Sequence, residues 1–539
     1  MLLSGRVVCG KQLLNANAYM TEAVTSTHDS SQWIRAQVAI AILAAIGAGL
    51  AFYATSLGLG TEVDSATYLM AARNLLAGKG LSLQFAGIAH PVPLTWFPPL
   101  LSGVLAMIGY AGIDLSAGAR WLNIVLYGAD IFLVAVFVKR YTGSRTAAVF
   151  SALLMTTTTD VLFNHCMLVS EPLFLFCILS GLIFIARYLE TPSLLLLFGF
   201  SAAFAAAGAT RYIGGILIPV GAGAIIFGSK NSPLRRIHLS AYASIFSFPL
   251  LLWLMRNMIL VHTLTNHHVG FHPPGFERFA FSYLSLSTWL LPAAVPALLR
   301  SVILAIAVLL LVRAAFYGFK KSDHQRSPRT QLDVILVVLL LFYLLGFVVT
   351  QTFFDAQIWI AGRHLLLVYV IGAMVILSQV RELFNSRGPY YRAMCLCLCV
   401  TLIGLGAFRT GKNTLRLHEN GIGLSSKHWQ TSELIMKTKE LDGRLPIITN
   451  SWALVYLRTG KLADAIPSPV DSQTERLDPT YIANMARIRD EIQRAGAVVV
   501  YFTAFQSPQG GILAADDIET RLGLRRLATT SDGYILGKL

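Results

Sequence analysis

The chain has 539 residues, 55% of them hydrophobic and only 13% charged. An average soluble domain carries roughly 25% charged residues, and a single soluble core stops growing beyond about 250–300 residues. So much apolar surface excludes a soluble enzyme, a disordered chain and a fibre. A polytopic α-helical membrane protein remains, and the formal charge of +15 is then a topology signal before it is a nucleic-acid footprint.

In chain order, residues 1–34 are polar and mixed. They lack the roughly 7–15-residue apolar stretch of a signal peptide, and they read as a disordered cytoplasmic leader or an overlong gene start. A membrane crossing needs about 20 apolar residues. Stretches near 36–57, 119–138, 146–163, 168–188, 193–209, 212–228, 239–260, 291–312, 332–351, 361–380 and 393–409 approach this, which makes about eleven transmembrane helices.

The stretch 97–112 is apolar but short, and Pro98-Pro99 opens it. Charge decides its place. If it does not cross, Arg6, Lys11, Arg35, Lys139, Arg140, Arg145, Arg187, Lys230, Arg235, Arg236, Arg313, Lys320, Lys321, Arg326, Arg329, Arg381, Arg387 and Arg392 all lie on the N-terminal side. The opposite loops then keep only a few basic residues. Cytoplasmic loops collect Lys and Arg, so 97–112 reads as an interfacial helix on the outer face. The N-terminus is then cytoplasmic and the C-terminus extracytoplasmic.

This divides the chain into the leader 1–34, a transmembrane domain 35–409 with an outer loop at 58–118, and a tail 410–539. The tail alternates strand-like runs (446–449, 497–502, 534–536) with helical patterns (432–441, 481–495), as a small extracytoplasmic α/β domain would. It contains no cysteine, so no disulfide holds it. Cys395, Cys397 and Cys399 alternate within an apolar stretch, which suits helix packing better than one metal.

Polar residues at outer span ends carry the chemistry. Glu62 and Asp64 open a helical pattern after the first span, with Tyr68 one turn beyond Asp64. Asp64 suits an N-cap. It also places a carboxylate where it can deprotonate an acceptor hydroxyl or hold a divalent cation such as Mg²⁺ or Mn²⁺. Glu171 opens another span in Ser170-Glu171-Pro172-Leu173-Phe174. A glutamate there is costly unless it faces the bundle interior. Asp160 and His165 nearby are weaker candidates.

Arg211-Tyr212 fill a short outer turn, and Arg256-Asn257 and Arg363-His364 stand at other outer boundaries. Arginine there either snorkels or clamps a phosphate bidentately. Asp130, inside a span, reads as an interhelix contact rather than a proton relay. His262, His267, His268 and His272 lack an acidic partner at metal-ligand spacing. With no phosphate-binding loop or dinucleotide fingerprint and the acids on the outer face, activated substrate must come from a lipid carrier.

The order of these features resembles the GT-C membrane glycosyltransferases. The features are a first-loop acid, an amphipathic helix, a Pro-Pro-Leu segment, a basic inner turn, Ser-Glu-Pro-Leu-Phe, an outer Arg-Tyr and a later Arg-Asn. Within that group the chain looks most like bacterial relatives of the protein O-mannosyltransferases and the lipid A aminoarabinose transferase. The tail's 448–451 and 456–461 are similar to a segment of their extracytoplasmic domains. The resemblance implies an inverting hexosyl- or pentosyltransferase in the bacterial inner membrane, with a polyprenyl-phosphate sugar as donor. The acceptor is a lipid, glycan or protein.

By the same resemblance, Asp64 is base or metal partner, Glu171 is the second acid and Arg211 contacts the carrier phosphate. Glu62, Tyr68, Tyr212, Arg256 and Arg363 complete the expected substrate site. Val63 separates acids that are adjacent in some relatives, and a lysine found near the Arg211 turn in the lipid A enzyme type is missing here. A polysaccharide polymerase or ligase, or a lipid or solute transporter or flippase, are the alternative readings. The transporter predicts paired inverted halves, and none is evident.

Overall fold

The computed structural model describes residues 32–538 apart from 89, 230–232, 268, 321–326, 356–357, 359–361, 472 and 506–512. The readings of the leader up to 31, of Lys230, of His268, of Lys321 and of Arg326 lie outside the described residues.

Helix α1 (Gln32–Ala54) leads into a segment that carries α2 (Val63–Leu76), a two-residue ladder of β1 (Ser82–Leu83) with β2 (Val92–Pro93), and α3 (Leu100–Tyr110). Eleven helical residues rise about 16 Å, about half of the ~30 Å hydrocarbon core, so α3 is too short to cross. The bundle continues with α4 (Leu115–Thr142), α5 (Arg145–Thr157), α6 (Thr159–His165), α7 (Glu171–Glu190) and α8 (Leu194–Thr210). A 3₁₀ turn at Tyr212–Ile216, α9 (Leu217–Gly228), α10 (Arg235–Val261), α11 (Phe276–Leu290) and α12 (Ala297–Lys320) follow. Last come α13 (Pro328–Phe353), a 3₁₀ turn at Gly362–Leu365, α14 (Leu366–Ser386) and α15 (Pro389–Asn420).

Among the described residues, eight helices are long and apolar enough to span a membrane, or nine if α5 and α6 form one broken span. The stretches expected as spans at 193–209 and 212–228 form helical segments shorter than that. The molecule is a multi-pass membrane protein.

Local sequence explains the main breaks. Asp114 Oδ1 caps α4, accepting from Ser116 N and Ala117 N at 3.0 and 2.9 Å. Gly143, at φ +70°, ends it after Lys139 and Arg140. The expected single span at 146–163 is bent by 65° between α5 and α6. No proline stands there. Instead Thr157 and Thr158 turn their hydroxyls back onto Leu153 O and Leu154 O, at 2.9 and 2.6 Å. Such back-bonding bends helices, and a 2.7 Å bond between Thr158 and Tyr369 holds the bend.

The tail continues with α16 (Lys427–Gln430), α17 (Glu433–Glu440), β3 (Ile447–Thr449), α18 (Trp452–Thr459), β4 (Ala463–Ala465), β5 (Val470–Asp471) and β6 (Arg476–Leu477). It ends with α19 (Tyr481–Ala495), β7 (Val498–Phe502), α20 (Ala515–Leu522), β8 (Arg525–Thr530) and β9 (Gly533–Gly537). Five strands form one sheet in the order β4-β3-β7-β9-β8. β3 runs parallel to β4 and β7, whereas β9 is antiparallel to β7 and β8.

Strand side chains alternate between faces, and the two faces have different covers. Ile448, Val499, Tyr501 and Leu536 pack with α19 and α20 through Ile488, Ile492, Ile518 and Leu522. Ile447, Val498, Val500 and Phe502 pack with α17 and α18, and also with Ala66, Met70 and Ala71 of α2. The opposite side of α2, through Tyr68, Leu69 and Ala72, belongs to the core of the bundle. Helix α2 is therefore shared by both cores. The expected division at 409/410 falls inside α15, which runs unbroken to Asn420.

Residues 60 and 61 stitch the two parts together. Gly60 bridges to Met167 in the turn before α7, and Thr61 bridges to Gly423 after α15. Gly423 has φ +56°, and a Cβ there would lie 2.3 Å from Thr61 O. Gly423→Ala should therefore lower the melting temperature of the purified protein by several degrees. Gly404→Ala, where a Cβ meets nothing within 4 Å, should leave it unchanged or slightly higher. Equal melting of the two variants by circular dichroism would contradict this.

Candidate active site

Helix α2 begins two residues earlier than the capping expectation for Asp64 requires. Glu62 is the N-cap, and Ser65 Oγ accepts its N–H at 3.0 Å. The same hydroxyl donates to Leu168 O at 2.6 Å, which fixes α2 beside the start of α7. With Glu62 and Ser65 forming the cap, the Asp64 carboxylate is left for another partner.

That partner is Arg363. Its Nη2 donates to Asp64 Oδ2 at 2.7 Å, its Nη1 lies 3.2 Å from Glu62 Oε2, and its Nε lies 3.7 Å from Glu171 Oε1. Three carboxylates from two separate segments thus converge on one guanidinium. Arg211, at the end of α8, pairs with Glu171 Oε1 at 2.5 Å and donates to Ser170 Oγ at 2.9 Å. The Glu171 side chain is only 3% exposed, that of Asp64 28% and that of Glu62 46%.

Local structure puts each group in place. Pro172 in the first turn starts α7 at Glu171, and the 3₁₀ turn before α14 presents Arg363. Tyr68 is buried, packs against Phe97 with the rings tilted by 40° and their centres 5.0 Å apart, and reaches Ser170.

The electrostatic balance is negative by one charge, with three acids against two guanidinium groups. Burial pushes the Glu62 carboxyl above the usual range; Arg363 opposes the rise, and Asp64 and Glu171 add to it. A divalent cation at the point where Glu62 Oε2, Asp64 Oδ2 and Glu171 Oε1 converge would compete with the Arg363 fork for those oxygens. Among the described residues, no three His, Cys, Asp or Glu side chains form a metal-holding group. The Arg363 guanidinium thus stands between the acids, where the divalent cation was expected.

The other expected site residues form a separate hub. Arg256 donates to Leu94 O and Leu81 O at 2.6 and 2.7 Å. Tyr212 donates to Thr95 O at 2.7 Å and accepts from Trp253 Nε1 at 2.9 Å. Asn257 accepts from Arg256 Nη1 at 2.9 Å and donates to Leu264 O at 2.7 Å. The Arg256 fork expected for phosphate is spent on backbone carbonyls, and with Tyr212 it anchors the loop that follows α2.

Asp130 makes an interhelix contact, with His165 Nε2 at 3.0 Å, and both side chains are fully buried. Two members of the central cluster escaped the sequence reading. Ser170 was visible only as a neighbour of Glu171. Tyr343 lies beside Arg211 and Glu171, and its hydroxyl donates to His364 O at 3.0 Å. Its one sequence signal is its place a helical turn before Phe347, whose ring lies 5.3 Å from that of His364.

This helical bundle, with a polar cluster at one end and a sheet domain packed on it through α2, resembles the GT-C membrane proteins in fold. No family model matches the sequence, and no curated protein matches it. Among solved structures, ArnT from Cupriavidus metallidurans in the apo state aligns with a TM-score of 0.50 at 14% identity, over 94% of this chain and 98% of that one. The same ArnT bound to undecaprenyl phosphate gives 0.49 at 14% identity, over 94% and 98%. The oligosaccharyltransferase of Archaeoglobus fulgidus, tethered to an acceptor peptide, gives 0.49 at 10% identity, over 85% and 68%. The likeness to apo ArnT is one of fold.

Two predictions test the cluster. Removing one partner of a buried ion pair costs about 3–5 kcal/mol. Glu171→Ala should therefore melt well below wild type, and Arg211→Met added to it should recover part of the loss. If the double variant melts lower still, the pairing is not what holds these residues.

Glu62 binds its proton more tightly folded than unfolded. Its contribution to stability therefore grows as pH falls through the range just above an ordinary glutamate pKa of about 4.3. Glu62→Gln should keep or raise the melting temperature at pH 7 and flatten its rise on mild acidification. A clear drop at pH 7 would overturn that sign.

Proposed function

We propose that this protein is a glycosyltransferase of the extracytoplasmic face, moving a sugar from a polyprenyl-phosphate carrier to an acceptor hydroxyl. In this reading the chain crosses the membrane eleven times. The N-terminus is cytoplasmic, and the C-terminal α/β domain lies outside. The observation that carries the proposal is the convergence of Glu62, Asp64 and Glu171 on Arg363 and Arg211. The fold shared with ArnT supports it.

The acceptor oxygen attacks the anomeric carbon and gives its proton to Asp64. Arg363 engages Oδ2 of Asp64, and Oδ1 takes the proton. The bond from the anomeric carbon to the phosphate oxygen breaks with its electron pair, and the sugar is inverted. Polyprenyl phosphate leaves.

Charge develops on the departing phosphate, where preorganised donors stabilise the transition state most. Arg363 Nη1 is buried without a hydrogen-bond acceptor, since Glu62 lies near it but out of line. That N–H and the remaining donors of Arg211 meet the phosphate oxygens. Glu171 holds both arginines at the right depth. The sheet domain covers the site through α2 and selects the acceptor.

Membranes incubated with labelled polyprenyl-phosphate sugars should transfer label to a lipid, glycan or protein fraction. General-base removal costs about 10²–10⁴-fold in rate, so Asp64→Asn should reduce transfer by that factor while the protein is still made and folded. Wild-type turnover by the variant would overturn the assignment.

A further inference from the structure

The cation expected beside Asp64 has a resident in its place. We infer that the guanidinium of Arg363 serves this chain as the fixed cation of its carboxylate cluster, so that the site works without a bound divalent metal. The inference rests on the assignment of the cluster as the glycosyl-transfer site.

Three nitrogens of one guanidinium face one oxygen from each acid. Nη2, Nη1 and Nε of one side chain face Asp64 Oδ2, Glu62 Oε2 and Glu171 Oε1 at 2.7, 3.2 and 3.7 Å. Those three oxygens are the ligands that a hard cation would draw to about 2.0–2.6 Å. A metal can reach them only if the guanidinium leaves. Leaving is costly, because the side chain is three-quarters buried and a charge stripped of its partners in such a place loses several kcal/mol.

The fixed charge also sits on rigid ground. Arg363 belongs to the 3₁₀ turn that opens α14. Its neighbour His364 is held by its backbone carbonyl through Tyr343, and by its ring against Phe347. The guanidinium carries one charge where a divalent ion would carry two. That shortfall matches the cluster's surplus of one negative charge, and Glu62 is the most exposed of the three acids.

The chemistry differs accordingly. A guanidinium cannot act as a Lewis acid, but it orients the three acids and offers Nη1 to the phosphate, all without exchanging with solvent.

Manganese tests the inference directly. Purified full-length protein in nanodiscs is titrated with Mn²⁺ and read by electron paramagnetic resonance. Wild type should hold no stoichiometric Mn²⁺ at about 100 μM metal, a level that fills weak carboxylate sites, and its transfer activity should survive EDTA. Arg363→Ala, with its carboxylates freed, should bind one Mn²⁺. It should lose that ion again when Asp64→Asn is added.

One Mn²⁺ bound by wild type and lost in Asp64→Asn overturns the inference. So does a folded Arg363→Ala protein that binds none. If Arg363→Ala does not fold, the wild-type and Asp64→Asn titrations still decide the matter. The resonance readout needs no donor or acceptor. If transfer fails with every polyprenyl-phosphate sugar while Mn²⁺ binding behaves as stated, the glycosyl-transfer reading falls and the resident-cation inference stands.

Discussion

Charge at the membrane boundary cannot be left uncompensated, and one guanidinium answers for three carboxylates here. Arg363 draws Glu62 and Asp64 from the start of α2 and Glu171 from the start of α7 into one cluster. Arg211 closes it from the end of α8. Each acid alone would oppose burial, because an unpaired charge in a low-dielectric setting is expensive. Together with the two arginines they become a unit that fixes four helix ends against one another. The ends of α2, α7, α8 and α14 are held as much by this cluster as by apolar packing.

Helix α2 carries the cluster's charge into the rest of the molecule. One face lies in the bundle core and the other forms part of the cover of the C-terminal sheet. Arg73, farther along α2, donates to Tyr456 of α18 at 2.9 Å and lies over its ring. The short bridges at Gly60 and Thr61 lock the approach to α2 between the α7 turn and the linker after α15. A change in how the sheet packs must therefore shift the acid that sits beside Arg363.

The sequence makes the membrane class plain, because low charge and long apolar runs admit no other. It also exposes the members of the cluster, since polar residues at span ends are rare enough to be conspicuous. Asp64, Glu171, Arg211 and Arg363 were all visible that way. Their pairing was not visible, because 299 residues separate Arg363 from Asp64 and no local pattern encodes that contact. Arg256 looked the same as Arg211 in the sequence. Only the fold shows that carbonyls of Leu81 and Leu94 consume its donors. The bend at Thr158 was illegible for a related reason. Threonines fit a span by composition, and their hydroxyls break it only through bonds to backbone and to Tyr369. The mid-span Tyr343 stood out little, because it is an aromatic among aromatics and only its spacing from Phe347 marks it.

The unbroken α15 sets a distance as well as a direction. Its 32 residues rise about 48 Å, whereas the hydrocarbon layer is about 30 Å thick. Roughly a third of the helix must therefore stand clear of the lipid if it crosses upright, and the sheet domain is mounted on that projecting part. A helix turns by about 100° for each residue it gains. Height and orientation are thus geared together: evolution cannot raise the sheet above the bilayer without also rotating it. The height of the sheet along the helix axis therefore changes only in discrete steps, each with its own orientation.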